Sequence, residues 1–427
     1  MRFLLLPGTY DCKNLGDLAM LQVALDRLVR ELPDSAIRAL TYTPEALRGF
    51  CPQVQPISFQ EWQRWRKAKI LPRWFGSEPE ARFRRNHARL FARLWPLKAA
   101  LLRGKYLAGR NFLDEIRRAD AFVVTGCGLL NDHFGDLSLE VLELLEIAID
   151  RGRATALFSQ GIGPLRDATL RRRAAEVLPR VDAIFIRENH STPPLLDSLG
   201  VLPERIVFTG DDAVELAWSA CQDTQGTHIG FNLRVATYSG VLEDSLEVVR
   251  RILAQKAKEH GAALLGVPIA RGNVECDFAT ARRMLDGLDV AGDPGADIDT
   301  PLKAIRRTAE CRIVVTGSYH LAVFALSQGI PAVCVARNLY YSNKFLGLAK
   351  AFGTGCAVIE ADAVGFESLL SRAIDQAWRE APALREPLLR EAERQVDFAN
   401  AAYAEWLSRH LPRSAAVQPE APSMALS

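Results

Sequence analysis

The chain has no metal-ligand spacing, no long apolar run and no excess of one charge. Its eight cysteines, at positions 12, 51, 127, 221, 276, 311, 334 and 356, include no Cys-x-x-Cys pair and no cysteine–histidine pattern. Such scatter argues against a zinc site and a disulfide framework, and a cysteine inside an apolar run, such as Cys334 between Val333 and Val335, reads as a reduced core thiol. No metal and no cofactor is expected, and the expected compartment is reducing, hence cytoplasmic. Nowhere does an apolar stretch reach the roughly 20 residues of a spanning helix. The apolar start before Pro7 and Gly8 is shorter than the about 7–15 residues of a signal peptide's apolar region. With 53 basic and 51 acidic residues the formal charge is +2, so no global field selects nucleic acid, and a charged partner must be met locally.

At 427 residues, 48% of them hydrophobic, the chain is long for one core, and a prior of about 100–200 residues per domain suggests two. Short apolar runs at 3–6, 121–125, 154–159, 183–186 and 206–209 read as strands, with amphipathic segments between them. After a polar break at 221–227 the rhythm resumes, with strands at 228–233, 262–267, 312–316 and 332–335 and helices near 242–259, 273–288, 319–328 and 340–351. Alternation of this kind implies βαβ units and parallel sheets, so the expected class is α/β, with two doubly wound, Rossmann-like domains facing a cleft. The expected bounds are 1–220 and 228–383, then a helix over 384–411 and a disordered tail over 412–427.

The segment 61–110 departs from this rhythm. It carries fourteen Lys or Arg against three acidic residues and holds Trp62, Trp65, Trp74 and Trp95. Basic residues interleaved with tryptophan suit peripheral contact with a membrane surface or a lipid-linked substrate, they also suit a solvated helical pair whose tryptophans pack on the domain, and nucleic acid is a third reading.

The residues 312–316 read as a buried strand and 321–328 as a helix beneath a sheet, so Thr316-Gly317-Ser318-Tyr319-His320 is a strand-to-helix junction on the sheet's carboxyl edge. Ligands bind at that edge. Free N–H groups at a helix start favour an anion by about 0.3–1 kcal/mol, and a histidine there can exchange a proton near neutral pH. Three further strand ends lead into glycine loops: Gly8 to Asp17, with Asn14 and Gly16; Gly126-Cys127-Gly128; and Gln160-Gly161-Ile162-Gly163. Repeated at successive strands, they suggest backbone approaching a ligand along one edge.

The ordered set of these pieces resembles the polysaccharide pyruvyl transferase family. Asn14-Leu15-Gly16-Asp17, Gly126-Cys127-Gly128, Gln160 to Pro164, Arg187-Glu188 with Ser191, Gly210 to Ala213, Asn232-Leu233-Arg234, Ser318-Tyr319-His320 and Gly329-Ile330-Pro331 follow in that family's order. The resemblance implies a GT-B-like fold and transfer of pyruvate from phosphoenolpyruvate, or another phosphorylated donor, onto a saccharide hydroxyl as a ketal, in cell-surface polysaccharide biosynthesis. The implied acceptor is a saccharide, lipid-linked if the basic segment touches membrane. Under this reading His320 and Arg234 are catalytic, and Asn14, Gly16, Asp17, Gly126, Gly128, Gln160, Gly161, Gly163, Arg187, Ser318 and Lys344 bind substrate.

The family commonly has Arg-Leu-His where this chain has Ser318-Tyr319-His320. A donor cation must then come from Arg234, Arg337 or Lys344. Plainer roles stay open: His320 and Asp17 as helix caps, Arg234 in a salt bridge between domains, Arg187 paired with Glu188, and Asp211-Asp212 as a polar turn. Two other functions stay open as well, a nucleotide-sugar-dependent GT-B glycosyltransferase and a non-catalytic saccharide-binding scaffold.

Overall fold

The computed structural model of the protein describes residues 1–8, 10–60, 62–63, 87, 90, 94, 114–233, 243–272 and 276–411. Its first half comprises β1 (Arg2–Leu6), α1 (Leu15–Glu31), β2 (Ala36–Thr41), α2 (Pro44–Phe50), β3 (Gln55–Ser58), β4 (Ala121–Val124), α3 (Gly135–Asp150), β5 (Ala154–Gln160), α4 (Ala168–Val177), β6 (Ala183–Ile186), α5 (Thr192–Ser198), β7 (Ile206–Phe208) and α6 (Ala213–Ser219). The second half comprises β8 (His228–Asn232), α7 (Glu243–His260), β9 (Leu264–Gly266), α8 (Asp277–Leu285), β10 (Gly292–Asp293), α9 (Pro301–Ala309), β11 (Cys311–Thr316), α10 (Tyr319–Ser327), β12 (Ala332–Ala336), α11 (Leu339–Phe352), β13 (Cys356–Glu360) and α12 (Phe366–His410).

The strands form two parallel sheets, ordered β3-β2-β1-β4-β5-β6-β7 and β10-β9-β8-β11-β12-β13. In each sheet the order reverses beside its first strand, between β1 and β4 and again between β8 and β11. Crevices open at such reversals, outside the carboxyl ends of the strands. The central strands are apolar and buried on both faces, as β4 and β6 are throughout, because helices cover both sides of a parallel sheet.

The helix α10 is buried along all nine residues, with no polar face. It lies between the β11–β12 edge and the first-half helix α6, and α9, α11 and α12 pack against it as well. The terminal helix was expected over 384–411, yet α12 already begins at Phe366 and runs 45 residues through Pro382 and Pro387. Leu388, Ala392 and Val396 pack in the core around α10, whereas Tyr403 and Trp406 pack on Phe158 and Phe185 of the first sheet. One helix thus joins both cores.

Four strands go beyond the sequence expectation: β2, β3, β10 and β13. Trp62 is fully buried beside Phe59 and Tyr10, which makes it a core residue rather than part of a surface for lipid. The remaining tryptophans of 61–110, and the tail 412–427, lie outside the described residues. No helix among the described residues is long and apolar enough to cross a membrane.

Candidate active site

The carboxyl ends of β1, β4, β6 and β11 meet at one cavity of about 600 Å³, including its open mouth. Of the residues singled out in the sequence, Asn14, Asp17, Gly128, Arg187, Ser318, His320 and Lys344 line it. Gly16, Gly126, Gln160, Gly161 and Gly163 do not. Arg234 lies outside the described residues.

Each lining group is placed by a local device. The Asn14 side chain accepts from the N–H groups of Gly16 and Asp17, capping α1 at 3.0 and 3.3 Å. The same turn pairs with the second half, since Leu15 N–H donates to the Ile269 carbonyl and Arg271 N–H to that of Lys13. At the other junction, the Thr316 hydroxyl accepts from Ser318 N–H at 2.8 Å and donates to the Asn232 carbonyl, fixing the path from β11 into α10. His320 in the first turn of α10 is 7% exposed, and its Nε2 lies 3.4 Å from Met20 Sδ, 3.8 Å from Asp17 and 4.0 Å from Asp211.

Two glycines are required for close approach. A Cβ on Gly16 would fall 2.0 Å from Cγ of His320, so no other residue lets α1 lie against that ring. At Gly128 it would fall 3.0 Å from Arg187 Nη2, 3.2 Å from Lys344 Nζ and 2.9 Å from the Tyr340 hydroxyl. Two cations from opposite halves therefore converge on one glycine. Gln160 is spent inside the fold, its amide donating to the carbonyls of Thr125 and Phe158 and its oxygen accepting from Cys127.

Arg187 does not pair with Glu188. Its guanidinium is buried 3.4 Å from Asp211 and stacked 4.4 Å from the centre of the Tyr319 ring. Glu188 turns away and caps α5, accepting from the N–H groups of His190, Ser191 and Thr192. The adjacent carboxylates of the Asp211-Asp212 turn divide likewise. Asp211 faces Arg187 and, at 4.0 Å, His320, while Asp212 faces Arg27 at 2.5 Å and the Tyr403 hydroxyl at 3.0 Å. That turn is braced by Ser159, which holds a left-handed φ of +50° and accepts from Asp212 N–H at 2.9 Å.

The profile of the polysaccharide pyruvyl transferase family matches residues 14–338. The chain belongs to that family. No curated protein sequence matches it. Among solved structures it resembles a UDP-GlcNAc 2-epimerase from Neisseria meningitidis bound to UDP-GlcNAc, at 12% identity and a TM-score of 0.56, covering 96% of this chain and 100% of that one. It also resembles the spinosyn rhamnosyltransferase SpnG, at 15% identity and a TM-score of 0.51 over the same shares. These likenesses show the fold, that of the GT-B enzymes, with two parallel-sheet units.

Two tyrosines lining the site of this transferase, Tyr340 and Tyr341, escape a reading by motif. Tyr319, Tyr340 and Tyr341 surround the Lys344 ammonium, which sits 4.0 Å from the Tyr340 ring centre. The available signal is the i, i+4 spacing of Tyr340 and Lys344 directly after β12, with Asn338 capping α11. Burial pushes the hydroxyls of Tyr319 and Tyr340 well up and the Cys127 thiol to about 12, so all three keep their protons at neutral pH. Burial also raises the Asp211 carboxyl above its ordinary range, against the pull of Arg187.

Proposed function

We propose that the protein moves the pyruvyl group of phosphoenolpyruvate onto a saccharide, as a ketal joining two hydroxyls, in the assembly of a cell-surface polysaccharide. The observation that carries this reading is the convergence of Arg187 and Lys344 on Gly128, beside the His320 ring. Phosphoenolpyruvate brings a phosphate and a carboxylate, and two fixed cations with the N–H groups opening α10 match that charge. Ser318 stands where the family commonly carries arginine, and the Arg187–Lys344 pair supplies cations in the same cavity.

In this reading His320 protonates the enol carbon, C3, so that C2 becomes the electrophile. The tyrosines around Lys344 keep the donor's charged end out of bulk water, where each ionic contact counts for more. Inorganic phosphate is the leaving group.

The test is release of inorganic phosphate from phosphoenolpyruvate, measured with and without saccharide acceptor preparations. Release that needs an acceptor supports the reading. Turnover of nucleotide sugars with none of phosphoenolpyruvate overturns it in favour of a glycosyltransferase.

A further inference from the structure

Ketal formation moves more protons than one side chain handles. Each hydroxyl that joins C2 loses a proton while C3 gains one, so a second proton acceptor belongs in the cavity with His320. Arg187 and Lys344 are cations, and the thiol of Cys127 and the hydroxyls of Tyr319 and Tyr340 hold their protons. The carboxylate that lines the cavity, among the described residues, is Asp17.

Its placement fits the task. Asp17 lies in the first turn of α1, where the helix dipole favours a carboxylate, and Oδ1 stands 3.8 Å from Nε2 of His320. A hydroxyl oxygen seated beside both can give its proton to either. Asp211 is nearly as close to His320, yet its side chain is wholly buried against Arg187, whereas that of Asp17 is 18% exposed. Asp17 is therefore the carboxylate an incoming saccharide can reach. The groups facing it are His320 from α10, Arg187 from the loop after β6, Tyr340 from α11 and Cys127 from the loop after β4.

We propose that Asp17 is the base that takes the proton of the first attacking hydroxyl, working opposite His320. The assignment rests on the pyruvyl-transfer reading. The His320 imidazolium gives its proton to C3, and the first hydroxyl oxygen bonds to C2 as Asp17 accepts its proton. The C2–O bond to phosphate then breaks, and phosphate leaves with the electron pair, taking the proton held by Asp17. The second hydroxyl oxygen bonds to C2 and returns its proton to neutral His320. Phosphoenolpyruvate and a diol become a ketal and hydrogen phosphate, with both side chains restored.

The experiment compares wild type, Asp17→Asn and Asp17→Glu for thermal stabilisation by phosphoenolpyruvate and for acceptor-dependent phosphate release across about pH 5–9. Asp17→Asn is expected to keep the stabilisation and to lose roughly 10²–10⁴ in kcat, with the rising limb of the pH profile gone and the falling limb in place. Asp17→Glu is expected to recover part of the rate and the rising limb. An Asp17→Asn rate within about threefold of wild type overturns the assignment, as does a rising limb that persists while the falling limb moves to lower pH, the mark of a residue that only orients His320. Wild type that releases no phosphate from phosphoenolpyruvate with any acceptor overturns the pyruvyl-transfer reading itself.

Discussion

The guanidinium of Arg187 rests 4.4 Å from the ring centre of Tyr319, so the buried cation of the first sheet touches the residue that directly precedes His320 in the second. The stack and the Asp211 pair together aim Arg187 at the cavity. Replacing Arg187 with Met is expected to abolish stabilisation by phosphoenolpyruvate. It also leaves Asp211 buried without its cation, at a stability cost of about 3–5 kcal/mol, read by chemical denaturation. Tyr319→Leu removes only the stack, worth about 0.5–2 kcal/mol, and is expected to raise the donor KM by less than Arg187→Met does.

His320→Gln keeps a polar side chain of similar reach and cannot deliver a proton. Acceptor-dependent phosphate release is expected to fall roughly 10²–10⁴-fold, with donor affinity nearly unchanged. Steady-state kinetics beside a donor titration separates the two.

Gly16→Ala tests the contact that seats the histidine. The added Cβ would fall 2.0 Å from Cγ and 2.2 Å from Nδ1 of His320, so α1 and α10 must part. Activity is expected to fall about as far as in His320→Gln, with a lower melting temperature. Gly49→Ala on α2, where nothing lies within 4 Å, is the control, expected to stabilise by up to about 1 kcal/mol through helix propensity.

Much of this arrangement is legible in the sequence, for reasons that also explain what is not. The strands β1, β4 and β11 are buried apolar runs followed within two residues by glycine, so both they and their loops stand out. The strand β3, Gln55-Pro56-Ile57-Ser58, carries a proline at a sheet edge, and β10 has only two residues, too few for any period. Adjacency in sequence suggests an Arg187–Glu188 pair. At a strand end neighbouring side chains point to opposite faces, so Arg187 meets Asp211 from the turn after β7 and Glu188 meets α5. Tyr340 and Tyr341 belong to no motif, and the spacing of Tyr340 to Lys344 is the local sign that their helix starts at the cavity.

Asp212 gives the fold a pH dependence of definite sign. Burial, with the nearby Asp211 charge, lifts its carboxyl to about 6 despite Arg27. The unfolded value is about 3.9, so the folded protein holds a proton the unfolded chain has lost in between. The contribution to stability is full below about pH 4 and is lost as pH rises through about 6. Asp212→Asn cannot ionise, so across this window it is expected to gain on wild type by up to roughly 3 kcal/mol, whatever fixed cost the lost Arg27 contact adds. Denaturation at both ends of the window checks the sign.

Under the pyruvyl-transfer reading the cavity lined by Gly128 and His320 holds phosphoenolpyruvate between two cations. The direct measurement is a donor titration of wild type and Lys344→Met, followed by thermal shift, with phosphoenolpyruvate and UDP in parallel. Phosphoenolpyruvate is expected to stabilise wild type, and Lys344→Met is expected to need roughly 10- to 100-fold more of it, the loss of one charged hydrogen bond of about 1.5–3 kcal/mol. UDP is expected to leave both unchanged. Stabilisation by UDP alone, or equal response of both proteins to phosphoenolpyruvate, overturns phosphoenolpyruvate as the ligand held by Lys344.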